Sequence, residues 1–255
     1  MKSISRRKMV QISGLTTVGS LIGVPAFSET MVKRKLSVRK LKIIVAGAHP
    51  GDPECGCGGT MALFASEGHE VVSVYLTRGG AGIKGKTYEE AAQIRTNEAL
   101  KSSKILNSRA VFLEQIDGSS EITQNRYEEM NDFIRRENPD IVFTHWPIDS
   151  HRDHRTCSNL VYDAWINLGK KFLLYFYEVT SGAETQNFSP GNYINISSVI
   201  NQKSDSCMAH ISQEPEGWYV NIQRTIEKFR GIEFNCEYAE AFVRHNQNAE
   251  SIVPR

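Results

Sequence analysis

The chain has 255 residues, with 30 Lys and Arg against 29 Asp and Glu and a net charge of +1, long enough for one sizeable α/β domain that buries a sheet. Nucleic-acid partners need clustered Lys and Arg, and this near-neutral chain offers no electrostatic basis for one; its short basic run Lys33, Arg34, Lys35, Arg39, Lys40 and Lys42 reads as a solvated lead-in to the first strand. The five cysteines contain no Cys-x-x-Cys pair, so they read as small buried residues rather than zinc thiolates.

At the start, Ser5-Arg6-Arg7-Lys8-Met9 precedes a modestly apolar stretch from Val10 to Phe27 that ends in small residues. That pattern predicts a twin-arginine export signal over residues 1–30, running into a basic linker. The stretch carries Ser, Thr, Gly and Gln and is too polar for a membrane span. The expectation is an exported protein, periplasmic or extracellular, with a single catalytic domain over 38–255 and no stable membrane insertion once the signal is removed.

Leu41 to Ala48 is a β run rich in Ile and Val, Gly56 to Ser66 reads as a helix opened by glycines, and Glu70 to Thr77 is a second strand of the fully buried kind. Thr87 with Glu90 forms a capping box, which starts a helix ending near Asn107. A third strand follows at Ala110 to Glu114, a helix at Tyr127 to Glu137 and a fourth strand at Asp140 to His145. Cys157, Leu160, Val161, Ala164, Trp165 and Leu168 repeat at helical spacing, and Phe172 to Val179 resumes the β pattern. Later come a short strand at Tyr193 to Ile196, helices from Asn201 and Glu216, and a tail strand at Tyr238 to Val243. The alternation predicts an α/β, Rossmann-like, doubly wound and mainly parallel sheet of at least five strands with helices on both faces.

Two polar clusters follow strands of that sheet. Ala48-His49-Pro50-Gly51-Asp52-Pro53-Glu54 comes after the first strand, and His145-Trp146-Pro147-Ile148-Asp149-Ser150-His151-Arg152-Asp153-His154 after the fourth. Functional loops of such sheets gather at the carboxyl ends of strands, where strand order reverses. Four of the seven histidines lie in these two clusters. Together they offer two imidazoles and a carboxylate, the ligand set of a catalytic zinc site that keeps one position open for water.

The His-Pro-x-Asp and His-x-Asp-His elements resemble the two signature motifs of the LmbE-like (PIG-L type) N-deacetylase family. Further landmarks resemble it in order: Arg95 and Glu98, Asp117-Gly118, Pro139-Asp140, His210 with Ser212-Gln213, and Tyr238 to Phe242. The resemblance implies a Zn2+ ion, or another divalent metal, held by His49, Asp52 and His154, with zinc-activated water attacking an N-acyl carbonyl. It implies His151 as a protonatable catalytic residue facing the scissile group, Asp153 as the carboxylate orienting His151 or His154, and Arg95 as a substrate clamp. The implied substrate is a small molecule or oligosaccharide, an N-acetylated sugar or glycoconjugate; homo-oligomerisation stays open.

One position departs from the family. Its first motif usually has two adjacent aspartates, the first a general base, and here that residue is Gly51. A general base contributes about 10²- to 10⁴-fold, so the base is lost or another group, Glu54, Asp149 or His151, has the role. Gly51 itself eases the turn or makes room for substrate near the metal, and Asp149 lies where it would face substrate. The rival reading is a non-catalytic, metal-dependent carbohydrate-binding protein on the same fold. A nucleotide-binding reading has little support, because no Gly-x-Gly-x-x-Gly follows the first strand.

Overall fold

The strands are built from residues that bury both faces, and this dictates a sheet covered on each side. In the computed structural model, which describes residues 39–247, the elements are β1 (Lys42–Gly47), α1 (Asp52–Ser66), β2 (Glu70–Thr77), α2 (Tyr88–Ile105), β3 (Arg109–Gln115), α3 (Gln124–Glu137), β4 (Ile141–His145), α4 (Arg152–Asn167), β5 (Leu173–Tyr177), β6 (Asn192–Asn195), α5 (Ile200–Met208), α6 (Arg224–Glu233) and β7 (Ala239–Arg244). The expected export signal at residues 1–30 lies outside the described residues. Among the described residues no helix is long and apolar enough to cross a membrane.

One seven-stranded sheet runs in the order β3-β2-β1-β4-β5-β7-β6. Strands β1 to β5 pair in parallel, while β7 pairs antiparallel with both β5 and β6. The parallel α/β expectation holds, and the tail adds an antiparallel edge. Ile44, Val72, Val142 and Leu174 pack on one face with Phe133, Leu160 and Trp165. Ile43, Val45, Val71 and Phe143 pack on the other with Met61, Leu106 and Phe242. Each such fully buried side chain contributes about 1.5–3 kcal/mol of transfer free energy.

Helix α1 starts at Asp52, four residues before the glycines that suggested its beginning. Gly51 is its N-cap at φ 110°, a backbone region open to glycine, and the Glu54 carboxylate accepts the Gly51 N–H at 3.1 Å. Pro53 in the first turn costs nothing there, since that N–H has no partner within the helix. At α2 the expected capping box is present: Thr87 Oγ1 accepts the Glu90 N–H at 3.2 Å and Glu90 Oε2 accepts the Thr87 N–H at 3.0 Å. The helix expected from Glu216 opens as a π-helical stretch, Glu216–Gln223, before α6.

A buried ionic cluster ties the last helices to α1. Lys203 on α5 is fully buried, with Nζ 2.7 Å from Glu227 on α6 and 2.5 Å from Glu240 on β7. Glu240 also accepts the Gly59 and Thr60 N–H groups of α1, each at 2.8 Å. Removing one partner strands the others as uncompensated buried charge, so Lys203→Met should lower unfolding free energy by about 3–5 kcal/mol. Urea denaturation followed by circular dichroism measures this, and a change below about 1 kcal/mol would mean the cluster does not tie these elements together.

Candidate functional site

The sheet order makes β1 and β4 neighbours, paired Ile43 to Ile141, Ile44 to Val142 and Val45 to Phe143. From β1 the chain proceeds outward to β2, and from β4 outward to β5. This is the reversal point at which a doubly wound sheet opens a crevice beyond its strand ends. Both polar clusters therefore meet there.

At the meeting point Asp52 Oδ2 lies 3.2 Å from His49 Nδ1 and 3.4 Å from His154 Nε2. The far nitrogen of each imidazole is held by acid. His49 Nε2 faces Asp117 Oδ1 at 3.1 Å and Asp153 Oδ2 at 3.3 Å. His154 Nδ1 faces Asp149 Oδ1 at 3.2 Å. Those outer carboxylates keep a proton on the outer nitrogens, so in the metal-ready form the lone pairs of His49 Nδ1 and His154 Nε2 converge beside Asp52. Expected ligands from two segments a hundred residues apart are thus brought together.

The electrostatics favour a cation at this point. Burial opposes charge on His49, but Asp52, Asp117 and Asp153 outweigh it and hold the imidazole well above its ordinary range. Burial likewise opposes His154, yet Asp52 and Asp149 lift it to about 9. Burial works against the Asp52 charge, and His154 and His49 hold its carboxyl well below the ordinary range nonetheless. The site stabilises two positive charges facing one carboxylate, the charge a divalent ion delivers. Hydrogen-bonded histidines with outer carboxylates are the usual support of a zinc site, so the residues present fit such an ion.

The remaining residues divide. His151 joins His49 and His154 as a third nitrogen within ligand reach of the other two. Asp153 packs behind His49, not behind His151 or His154: its carboxylate also accepts Gly118 N–H at 2.7 Å and Ser120 Oγ at 2.7 Å. Asp149 is shut away from the crevice, accepting His151 N–H at 2.8 Å and Thr185 Oγ1 at 2.9 Å in addition to facing His154. Glu54 is fully buried and bonded to Gly51 N–H and the Tyr75 hydroxyl, and it does not line the cavity. Asp117 was legible only as one family landmark, yet it is part of the centre. His145, the fourth histidine of the clusters, accepts the Ala48 N–H at 3.1 Å and stacks on His154 at 4.0 Å. Burial, then His154, lowers it to about 4, so it is neutral packing behind the centre.

A cavity of about 490 Å³ opens over the centre, and Gly51, Arg95, Asp117, His151, Glu184 and Trp218 are among its walls. Arg95 donates to Pro50 O at 2.7 Å, and its buried Nε has no partner among the described residues. Glu98 is not its counter-ion, being bonded instead to Ser212 N and Oγ at 2.8 and 2.7 Å. A Cβ on Gly82 would stand 2.4 Å from the Arg95 guanidinium, so any larger residue there would shift the end of this side chain. Gly51 points toward His210, whose ring lies 3.9 Å from the place a Cβ would take.

The protons held at the centre make metal binding sensitive to pH. Binding a divalent ion must displace the His154 proton, which is present below about pH 9. Zinc affinity should therefore rise with pH, by about tenfold per unit for each proton displaced, with the His154 part flattening above that value. Competition against a chromophoric chelator between pH 6 and 8 reads the slope, and a flat profile would contradict it. Asp149→Asn should weaken zinc about 10- to 100-fold without unfolding the protein, as loss of an outer carboxylate does.

Comparison with known proteins finds a family match over the segment that carries both motifs. Residues 44–165 match the PIG-L family, described as GlcNAc-PI de-N-acetylase. An uncharacterized deacetylase of Escherichia coli K12, YaiS, is 32% identical over 126 residues, which cover 46% of this chain and 65% of that protein. The N,N'-diacetylchitobiose deacetylase of Pyrococcus horikoshii superposes with a TM-score of 0.73 at 23% identity, covering 85% of this chain and 88% of that one. The conserved protein TT1542 of Thermus thermophilus superposes with a TM-score of 0.70 at 28% identity, covering 83% and 97%. The segment 44–165, which carries both strand-end motifs, is the part of the chain that matches the PIG-L (LmbE-like) family model.

Proposed function

We propose that this protein is a metal-dependent hydrolase that removes an acyl group, foremost acetyl, from the amide nitrogen of a sugar or glycoconjugate. The observation that carries the reading is the convergence of His49 Nδ1, Asp52 and His154 Nε2 at the floor of a cavity of about 490 Å³. The de-N-acetylase description of the family and the chitobiose deacetylase with the same fold support the choice of amide and of sugar. When bound, a divalent ion supplies Lewis acidity, lowering the pKa of water to about 7 and polarising an amide carbonyl.

The chain's own groups do the rest. Trp218, Ile222 and Val179 give the cavity an apolar wall on which a sugar ring can lie, and Arg95 offers N–H donors to its oxygens. His151 Nδ1 accepts the Asp153 N–H at 3.3 Å, so the neutral ring carries its proton on Nε2. Burial, then His49 and His154, lowers His151 below its ordinary range, which keeps it neutral at pH 7. It therefore meets the developing oxyanion as a fixed N–H donor.

Amine release from N-acetylglucosamine and N,N'-diacetylchitobiose, lost on chelation and restored by zinc, is the expected result. In the same assay His151→Phe should be slower by about 10²- to 10³-fold with its zinc retained. No release from any N-acyl sugar by the zinc-loaded protein would refute the reading. Gly51 in place of an acid favours the second reading, a carbohydrate-binding protein. Under that reading the native chain binds such sugars by calorimetry without turning them over, and Gly51→Asp creates release despite the φ 110° backbone, which costs a side chain about 1–3 kcal/mol.

A further inference from the structure

Hydrolysis needs an acceptor for a water proton, and the positions that the motifs suggest do not supply one. Gly51 has no side chain, Glu54 is turned into the core, and His151 Nδ1 is taken up in accepting the Asp153 N–H. Three carboxylates line the cavity: Asp52, Asp117 and Glu184. Asp52 is the candidate metal ligand. Asp117 is spent at both oxygens, with Oδ1 3.1 Å from His49 Nε2 and Oδ2 accepting Ala81 N–H at 2.8 Å. Glu184 accepts Thr180 Oγ1 on Oε2 at 2.9 Å and has no partner for Oε1 among the described residues.

The segment that carries Glu184 is built to hold it still. It follows β5, the strand next to β4, so it rises beside the second motif. Ser150 N–H donates to Glu184 O at 2.9 Å, and Thr185 Oγ1 donates to Asp149 Oδ2 at 2.9 Å, tying the turn to the residues around His151. Thr180 is β-branched yet sits at φ 40°, and its carbonyl accepts the N–H groups of both Ala183 and Glu184. A β-branched residue held there costs about 1–3 kcal/mol, a strain that structures keep mainly where position matters. Gln223 from the π-helical stretch fixes the same turn by accepting Thr180 N–H at 2.9 Å.

We infer that Glu184 is the proton acceptor of the hydrolysis, in place of the acid that position 51 lacks. The inference rests on the deacylase reading above. As the oxygen of water bonds to the acyl carbon, one water proton passes to Glu184 Oε1, while the carbonyl electrons collect on oxygen against His151 Nε2–H. The carbon–nitrogen bond then breaks with its electron pair on nitrogen, and Glu184 returns the proton to that nitrogen. The products are a carboxylic acid and a free amine, with Glu184 ionised again. Burial raises the Glu184 carboxyl above its ordinary range; His154 and Thr180 oppose the rise, and Asp52 and Asp149 add to it, which makes it a stronger base than an exposed glutamate.

Glu184→Gln keeps the shape and an acceptor for Thr180 but removes the basicity. In the zinc-loaded full chain, amine release should fall about 10²- to 10⁴-fold with KM and zinc stoichiometry little changed. A second readout does not depend on turnover. Acetohydroxamic acid gives up a proton when it chelates an active-site metal, and calorimetry in two buffers of different ionisation enthalpy counts protons reaching solvent. Wild type should keep that proton on Glu184, and Glu184→Gln should release about one more per chain. An unchanged rate, or an unchanged proton count, overturns the assignment. A wild type silent toward every N-acyl sugar whose variant still releases the extra proton refutes the deacylase reading and leaves Glu184 as the site's acceptor.

Discussion

Asp52, on the first turn of α1, faces two imidazoles whose outer nitrogens are each held by a carboxylate. Asp117 and Asp153 hold His49, and Asp149 holds His154. This arrangement fixes the proton on the outer nitrogen of each ring, so the inner nitrogens are free to face a cation. Four buried or nearly buried carboxylates around two imidazoles would be costly as bare charges. The protein offsets that cost by holding both rings protonated, and a divalent ion would offset it with the same charge. Other features of the site follow from satisfying this one electrostatic demand.

The fold meets the demand by topology. Parallel pairing of β1 with β4 sets two loops side by side, and the chain departs from them in opposite directions. The outer carboxylates come from further elements: Asp117 follows β3, Asp149 precedes α4 and Asp153 sits in its first turn. Glu184, after β5, extends the same logic, because each parallel strand delivers its following loop to the same edge of the sheet. The segment between β6 and β7 adds Gln213, Trp218 and Ile222 to the cavity, and β7 carries Glu240 to the buried Lys203.

The sheet was legible because β1, β2 and β4 are short β-branched runs with turn residues at their ends, and both polar clusters stood directly after strands. His49, Asp52, His154, His151 and Arg95 could be read from their place in the motifs, and all five line the cavity. What the sequence could not carry is which acid stands behind which imidazole. Asp153 is one residue before His154 in the chain, yet it holds His49, because the first turn of α4 aims it across the crevice toward the Gly118 turn. Glu54 was a candidate base by its nearness to Gly51, but its helical position points it inward to Tyr75. Glu184 has no motif at all, and its place in the cavity arises only from the β4–β5 pairing and the turn at Thr180.

The central claim is the identity of the atoms that hold the ion, and X-ray absorption at the zinc edge reads those atoms directly. For the zinc-loaded protein the account predicts a first shell of nitrogen and oxygen alone at about 2.0–2.2 Å, with the outer-shell scattering of two imidazoles, one of which disappears in His154→Ala. A sulfur shell near about 2.3 Å, or a spectrum unchanged by His154→Ala, would contradict it.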